Sequence, residues 1–161
     1  MASVIRGSDG FDSSNEILIA PVFRAHKSGN QTLTTLTWTK VLFETEEFDE
    51  GSAYDPSTSV FQPSVAGYYS VGSCVAFLSG SFKAGLSVLR KNDIQYAKLA
   101  YCYSNDNDLD DWAVSSSTLV YLNGSTDYCE IFAYVAGTGV TVNGGGASVS
   151  NFFGHLVRAG E

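Results

Sequence analysis

The residues best suited to binding chemistry form an acidic run, SNDNDLDDW, at positions 104–112. Asp106, Asp108 and Asp110 have the alternate spacing of a calcium-binding loop, in which carboxylate oxygens surround a hard cation. An EF-hand is excluded, because the sixth position is aspartate instead of glycine and the twelfth is serine instead of glutamate. A solvated acidic loop is the favoured interpretation, and calcium held in another geometry at these three aspartates is the alternative.

Catalysis by histidine or cysteine has no supporting motif in the sequence. His26 and His155 lie far apart in the chain, and no G-x-S-x-G elbow accompanies them. Cys74, Cys102 and Cys129 show neither C-x-x-C spacing nor a histidine at ligand spacing, which disfavours zinc. Each cysteine lies in an apolar or aromatic run, where a free thiol packs as a small hydrophobic group. We therefore predict buried free thiols, no required cofactor and no enzymatic activity.

Composition and charge exclude several classes of partner. The chain has 161 residues, 44% of them hydrophobic, and a formal net charge of −8. No basic cluster is larger than Arg90-Lys91, which disfavours binding to nucleic acid or to an anionic membrane surface. No apolar run is long enough to span a membrane, and the first residues lack the apolar stretch of a secretory signal. The acidity is typical of a soluble, exposed particle.

The elements that must position these residues are strands. Residues 1–20 are polar and turn-rich, and we interpret them as a tail or attachment segment. Residues 21–161 show period-two alternation and no sustained helical period, which predicts an all-β antiparallel sandwich or jelly roll of about ten strands. The predicted strands are PVFRAH, TLTTLTWTKVLF, GYYSVGSCVAFL, SFKAGLSVLRKND, IQYAKLAYCYS, WAVSSSTLVYL, TDYCEIFAYVAG and SNFFGHLVRA.

One set of residues makes this prediction more specific. Its members are aromatic, acidic or glycine residues in a fixed order: Phe43, Asp49, Tyr54, Phe61, Gly67 and Tyr69. In type and spacing they resemble six of the eight signature positions of the globular head of complement C1q. The last two positions, aromatic in that family, are Val71 and Ser73 here. The closing stretch SNFFGHLV resembles the family's last strand, with Phe152 and Gly154 in the expected places.

Physical reasons support the same pattern. Phe43, Phe61 and Tyr69 would fill the space between two sheets, and Gly67 suits a tight entry into a strand. Gly154 suits the close approach of another chain or sheet. The resemblance covers roughly residues 21–161 and implies an antiparallel jelly roll of the C1q/tumour-necrosis-factor (TNF) superfamily, whose members form trimers that bind proteins or glycans without catalysis. Some members bind calcium.

The source and role that we expect follow from this resemblance and from the leader SVIRGSDGFDS, which is similar to those of stand-alone heads in phage and bacterial proteins. We expect a homotrimeric bacteriophage virion protein: a fibre tip, a decoration protein or a receptor-binding knob. Residues 1–20 would join it to other virion proteins, and the head would bind a host-surface protein or glycan. The alternative is a soluble lectin-like module of a bacterial or eukaryotic cell, outside the cell or at its surface by a non-classical route.

Overall fold

The computed structural model describes residues 20–105 and 109–160. The described residues contain no helix, and five of their strands are only two residues long. In chain order the strands are β1 (Val22–His26), β2 (Gln31–Thr32), β3 (Thr39–Lys40), β4 (Thr45–Glu50), β5 (Tyr54–Asp55), β6 (Val60–Phe61), β7 (Ala66–Lys91), β8 (Ile94–Tyr103), β9 (Leu109–Asn123), β10 (Cys129–Thr138), β11 (Thr141–Val142) and β12 (Asn151–Ala159).

The strands form two layers, and all pairings between them are antiparallel. The first sheet has the order β4-β1-β12-β7-β9, in which β7 contributes its first half. The second sheet contains β8, the second half of β7 and β10, and the short strands β3 and β6 pair with the outer edge of β10. The short strand β11 extends the first sheet by pairing with β7 and β2. The predicted all-β antiparallel sandwich is confirmed.

Strand β7 belongs to both sheets. The sequence predicted two separate strands here, but residues 66–91 are one strand whose pairing register shifts between Leu78 and Phe82. Gly80 lies within this shift at a φ of +84°, and a Cβ there would approach the carbonyl oxygen of Thr138 to 2.2 Å. Glycine adopts this backbone conformation without the steric cost that a side chain imposes. The chain therefore passes from one sheet to the other without a loop.

The predicted strand TLTTLTWTKVLF is wrong as one continuous element. Only the pair Thr39–Lys40 and the end of β2 are strand, and Leu36 has a φ of 58° that interrupts the extended backbone. The segment is held instead by separate anchors. The buried Lys27 ammonium donates to the carbonyl oxygen of Leu42 at 3.0 Å and to Glu44 Oε1 at 2.8 Å. The segment thus covers the edge of the second sheet as an irregular strap.

The core lies between the inner faces of the two sheets. The alternation of each long strand sends every second side chain inward, so that aromatic and β-branched residues from both sheets meet. Each large apolar side chain buried in this way contributes about 1.5–3 kcal/mol. The largest fully buried apolar side chains are those of Phe23, Phe43, Phe61, Tyr69, Phe77, Phe82, Leu89, Leu122, Ile131 and Phe152.

Candidate functional site

The predicted signature residues meet in one aromatic cluster with Phe23 of β1 at its centre. The Phe23 ring stacks between Tyr54, at a centroid distance of 4.6 Å, and Phe61, at 4.5 Å. Its edge meets Phe152 of β12 at 4.9 Å. Tyr69 of β7 packs against Phe61 at 5.5 Å. We call this set, together with Phe43 beside Phe152, the inner aromatic cluster.

The two signature glycines make room for this packing. A Cβ on Gly154 would lie 2.8 Å from Phe23 Cε1 and 3.3 Å from Phe61 Cε1, so a side chain there would displace the stacked rings. A Cβ on Gly67 would lie 2.5 Å from the carbonyl oxygen of Arg158. Both glycines therefore accommodate parts of the same chain. The structure shows this role for Gly154 within one protomer, between β12 and the rings that cover it.

The polar atoms of the signature residues are also used internally. The Tyr54 hydroxyl donates to the carbonyl oxygen of Phe43 at 2.7 Å, which links β5 to the segment that leads into β4. The carboxylate of Asp49 accepts the backbone N–H of Ala53 at 3.0 Å and that of Tyr54 at 2.9 Å. Asp49 thus closes the turn at Gly51, where φ is +100°. These residues shape a fold and leave no reactive group exposed.

The polar atoms of the Asp55-Pro56 turn are likewise used in hydrogen bonds within the chain. One Asp55 oxygen accepts the backbone N–H and the hydroxyl of Ser57, and the other accepts the Thr58 hydroxyl. These hydrogen bonds stabilise the charged carboxylate, and they lower the pKa of Asp55 to about 2. The turn residues thus hold β5 next to β6.

The groups that could act as nucleophiles or bases are poorly placed for catalysis. Cys102 and Cys129 are buried and Cys74 is half-buried, and all three are free thiols. Burial raises the pKa of each thiol, that of Cys129 to about 12, which disfavours the nucleophilic thiolate. His26 Nδ1 lies 3.3 Å from Glu47 Oε1, whereas His155 is exposed on β12. No serine hydroxyl is bonded to either histidine among the contacts of the described residues.

The calcium candidates fall mostly outside the described residues. Asp106 and Asp108 are not described, and Asp110 is described only through its backbone in β9. Within residues 20–105 and 109–160, no group of three or more His, Cys, Asp or Glu side chains could hold a metal ion. Calcium binding at the three aspartates stays a prediction. The attachment segment, residues 1–20, lies outside the described residues except for its last position.

A second aromatic region faces outward. It consists of five tyrosines and one leucine on β7, β8 and β9, each between 40% and 59% exposed. We call it the tyrosine surface, and its members are Tyr68, Tyr96, Tyr101, Tyr103, Leu119 and Tyr121.

The tyrosine surface lies around the edge of the sandwich at which β8 and β9, the edge strands of their sheets, contact one another. The Tyr96 hydroxyl of β8 donates to the carbonyl oxygen of Leu119 in β9 at 3.2 Å. Tyr68 and Tyr121 are cross-strand partners on the outer face of the first sheet, with ring centroids 5.3 Å apart. Tyr101 and Tyr103 stack at 6.3 Å and continue the row along β8.

Sequence reasoning missed both Phe23 as a cluster member and the whole tyrosine surface. The signal for the surface was present in the strand pattern. In YCY the two tyrosines flank a buried Cys102, and in VYL Tyr121 lies between buried Val120 and Leu122. A strand that is apolar on both faces must be covered on both faces. The pattern was instead assigned to the core alone.

Comparisons with known proteins come from structure alone. No protein-family model matches the chain, and no curated protein matches its sequence. The globular domain of zebrafish complement 1qA protein is similar with a TM-score of 0.62 at 15% identity, covering 88% of this chain and 99% of that one. Murine APRIL gives 0.63 at 12% identity, covering 86% and 99% of the two chains, and Eiger TNF from S. frugiperda gives 0.58 at 17% identity, covering 89% and 94%.

This chain has the C1q/TNF jelly-roll fold. The structural likeness confirms the fold that the signature residues predicted, and at these identities it concerns the fold alone. The C1q/TNF-like domain contains, within its described residues, no helix that could cross a membrane.

Proposed function

We propose that this C1q/TNF-like domain is a non-enzymatic binding head that assembles as a homotrimer through the tyrosine surface. The observation that carries this proposal is the tyrosine surface itself, since it leaves five aromatic side chains and one leucine exposed on a single chain. Exposed apolar patches on soluble proteins mark interaction sites, and tyrosine is enriched in them because its ring is apolar and its hydroxyl tolerates water.

The proposed number of three chains rests on the fold. The resemblance is to a superfamily whose jelly rolls are trimers, and a ring of three requires one edge of each chain to meet its neighbour. The β8–β9 edge with the adjacent outer face of the first sheet offers such a surface. Each chain would then cover apolar side chains that its own second sheet cannot reach.

A binding role is favoured over catalysis by the state of the reactive groups. Burial raises the pKa of each of the three thiols above its ordinary value, which further disfavours the nucleophilic thiolate. His26 is engaged with Glu47, which also pairs with Arg24. These groups stabilise the domain, and the head acts by presenting a surface.

Light scattering during size-exclusion chromatography tests the assembly. The natural chain should elute as a species of three chain masses, and Leu119→Asp should weaken association by about a hundredfold or more, because it places a charge in an apolar contact. Leu36→Asp is the matched control, since Leu36 is 66% exposed compared with 59% for Leu119 and lies by β10, away from the tyrosine surface. A natural chain that is monomeric at micromolar concentration would contradict the proposal.

The biological setting that we propose is the virion of a bacteriophage, where the head would serve as fibre tip, decoration protein or receptor-binding knob. Residues 1–20 would attach it to other virion proteins, and a host-surface protein or glycan would be its ligand. The support is the similarity of the leader SVIRGSDGFDS to those of stand-alone heads in phage and bacterial proteins. Mass spectrometry of purified particles should detect the chain at structural stoichiometry.

The alternative setting is a soluble lectin-like module at or outside a cell surface. The two settings differ in the neighbouring genes, which would encode capsid or tail proteins only for a virion component. A gene surrounded by neither, together with particles that lack the chain, would favour the alternative. The trimer proposal is common to both settings.

A further inference from the structure

The C1q/TNF-like domain has a polar recess that shares no residue with the tyrosine surface. It has a volume of about 610 Å³ and lies where β3, β5 and β6 meet the β7–β8 turn and the start of β10. Its charged side chains are those of Lys40, Asp55, Asp93 and Glu130, and the Tyr128 hydroxyl lies among them. No lining residue belongs to the tyrosine surface.

Glu130 is the unusual member of the recess. It is only 5% exposed, although it carries a carboxylate. Its Oε1 atom is paired with the Lys40 ammonium, whereas its buried Oε2 atom has no hydrogen-bond partner among the described residues. Arg90 is its cross-strand neighbour, but the Arg90 guanidinium lies over the Phe132 ring at 3.8 Å and its Nε is likewise unpartnered. A buried carboxylate oxygen without a donor costs free energy that a bound N–H group would recover.

The charges that line the recess do not balance. The lining has three carboxylates and one ammonium, which leaves an excess of two negative charges, and Arg90, the cross-strand neighbour of Glu130 outside the lining, reduces this excess to one. Asp55 is bonded only to the serine and threonine of its own turn, and Asp93 Oδ2 accepts the Tyr128 hydroxyl at 2.9 Å. Neither aspartate forms an ion pair with a described residue. The recess therefore repels anions and attracts a positive charge.

We propose that this recess binds an organic cation, a primary ammonium or a guanidinium group, with the Glu130 carboxylate as the main acceptor. Such a group supplies the missing N–H donor and the missing positive charge together, and a charge-assisted hydrogen bond is stronger than a neutral one. A neutral saccharide would supply the donor alone. The cation could belong to an amino sugar or to a lysine or arginine side chain, which share this chemistry.

Pairs of ligands that differ only in charge test the proposal. Methyl glucosaminide and its N-acetyl form are one pair, and Nα-acetyl-lysine methylamide and its Nε-acetyl form are the other, all titrated at mildly acidic pH and followed by NMR. Binding of at least one charged member, without binding of its acetylated form, supports the proposal, and the pair that responds identifies the source. The proposal is overturned if the charged and acetylated members bind equally in both pairs. It is also overturned if none of the four ligands binds.

Three variants locate the binding. Glu130→Gln should weaken binding of the charged ligand by about tenfold or more, because it removes the acceptor charge. Glu47→Gln makes the same change in net charge on β4, outside the recess, and should leave the affinity unchanged. Lys40→Met should strengthen binding, since the ligand then replaces the ammonium that pairs with Glu130. Weaker binding in Lys40→Met would indicate a saccharide-type site and overturn the proposal.

A result against the cation-binding proposal can be distinguished from a result against the trimer proposal. The titrations can be repeated on Leu119→Asp, in which the tyrosine surface is altered and the recess is intact. Near-ultraviolet circular dichroism shows whether Glu130→Gln folds. If it does not, the affinity of Lys40→Met for the charged ligand still tests the proposal, since the proposal expects that affinity to rise. An unchanged affinity in both folded variants would place the ligand elsewhere.

Discussion

The inner aromatic cluster and the tyrosine surface are both rich in aromatic residues and share strand β7, yet one is buried and the other is exposed. Tyr68 and Tyr69 are neighbours in β7 and show the difference most directly. Tyr69 is 0% exposed and its hydroxyl donates to the carbonyl oxygen of Val65 at 2.7 Å, whereas Tyr68 is 50% exposed and contacts the Tyr121 ring. A strand places successive side chains on opposite faces, so one face is covered by the partner sheet and the other stays exposed on the single chain.

The comparison predicts that an aromatic side chain of the inner cluster stabilises the fold far more than an outer one. Phe23→Ala should lower the free energy of unfolding by about 3–5 kcal/mol, because it leaves a cavity between the rings of Tyr54 and Phe61. Denaturant unfolding measures this. It should be done in the Leu119→Asp background at fixed protein concentration, since assembly would otherwise add to the apparent stability.

Phe48→Ala is the matched control for this experiment. Phe48 lies on β4 beside β1 but is 43% exposed, so its truncation should change the stability by no more than about 0.5 kcal/mol. Equal losses in the two variants would mean that the inner cluster is not the centre of the core, and the distinction between the two regions would fail.

The sequence predicted the inner cluster better than the surface for a physical reason. Aromatic residues at the spacing of Phe43, Phe61 and Tyr69 are constrained from both sides by the sheets that they join, so their order in the chain reflects the fold. The exposed tyrosines obey the same alternation, but no part of their own chain covers them, so their order in the chain carries no comparable constraint. The alternation of residues with a period of two therefore indicated that strands exist. It did not indicate which aromatic face of a strand points into the core.

The strand boundaries illustrate a second limit. The passage of β7 through Gly80 depends on a positive φ and on close contact with Thr138, which is 58 residues away in the chain. The strap before β4 is held by Lys27, whose partners Leu42 and Glu44 are likewise distant. Local alternation cannot reveal contacts of this range, so it predicted a break where the strand continues and a strand where the chain is irregular.

A second prediction concerns alkaline pH and again separates inner from outer tyrosines. Burial raises the pKa of Tyr69 from its ordinary value of 10.0 to about 12. The stability that its neutral hydroxyl contributes is complete below pH 10 and is lost as the pH rises from 10 towards 12, because only the unfolded chain ionises readily in that range. About 2 kcal/mol should be lost over this interval.

Denaturant unfolding at several alkaline pH values in the Leu119→Asp background measures this loss. In Tyr69→Phe the unfolding free energy should fall by about 2 kcal/mol less between pH 10 and pH 12, since the ionising hydroxyl is absent. Tyr121→Phe removes a tyrosine from the outer face and should decline as steeply as its parent. The opposite ranking of these two variants would contradict the assignment of Tyr69 to the inner cluster.

The finest test removes one oxygen atom from each region. Tyr54→Phe leaves the buried carbonyl oxygen of Phe43 without its donor and should cost about 1–3 kcal/mol of unfolding free energy. Tyr96→Phe removes a comparable hydrogen bond to the Leu119 carbonyl oxygen, but Tyr96 is exposed, so water can replace the donor. In the Leu119→Asp background this variant should therefore lose about 0.5 kcal/mol or less of unfolding free energy. In the assembled natural chain the Tyr96 hydroxyl would lie within the proposed interface, away from bulk water. The cost of Tyr96→Phe should then rise towards that of Tyr54→Phe, and an unchanged small cost would show that assembly leaves this part of the tyrosine surface uncovered.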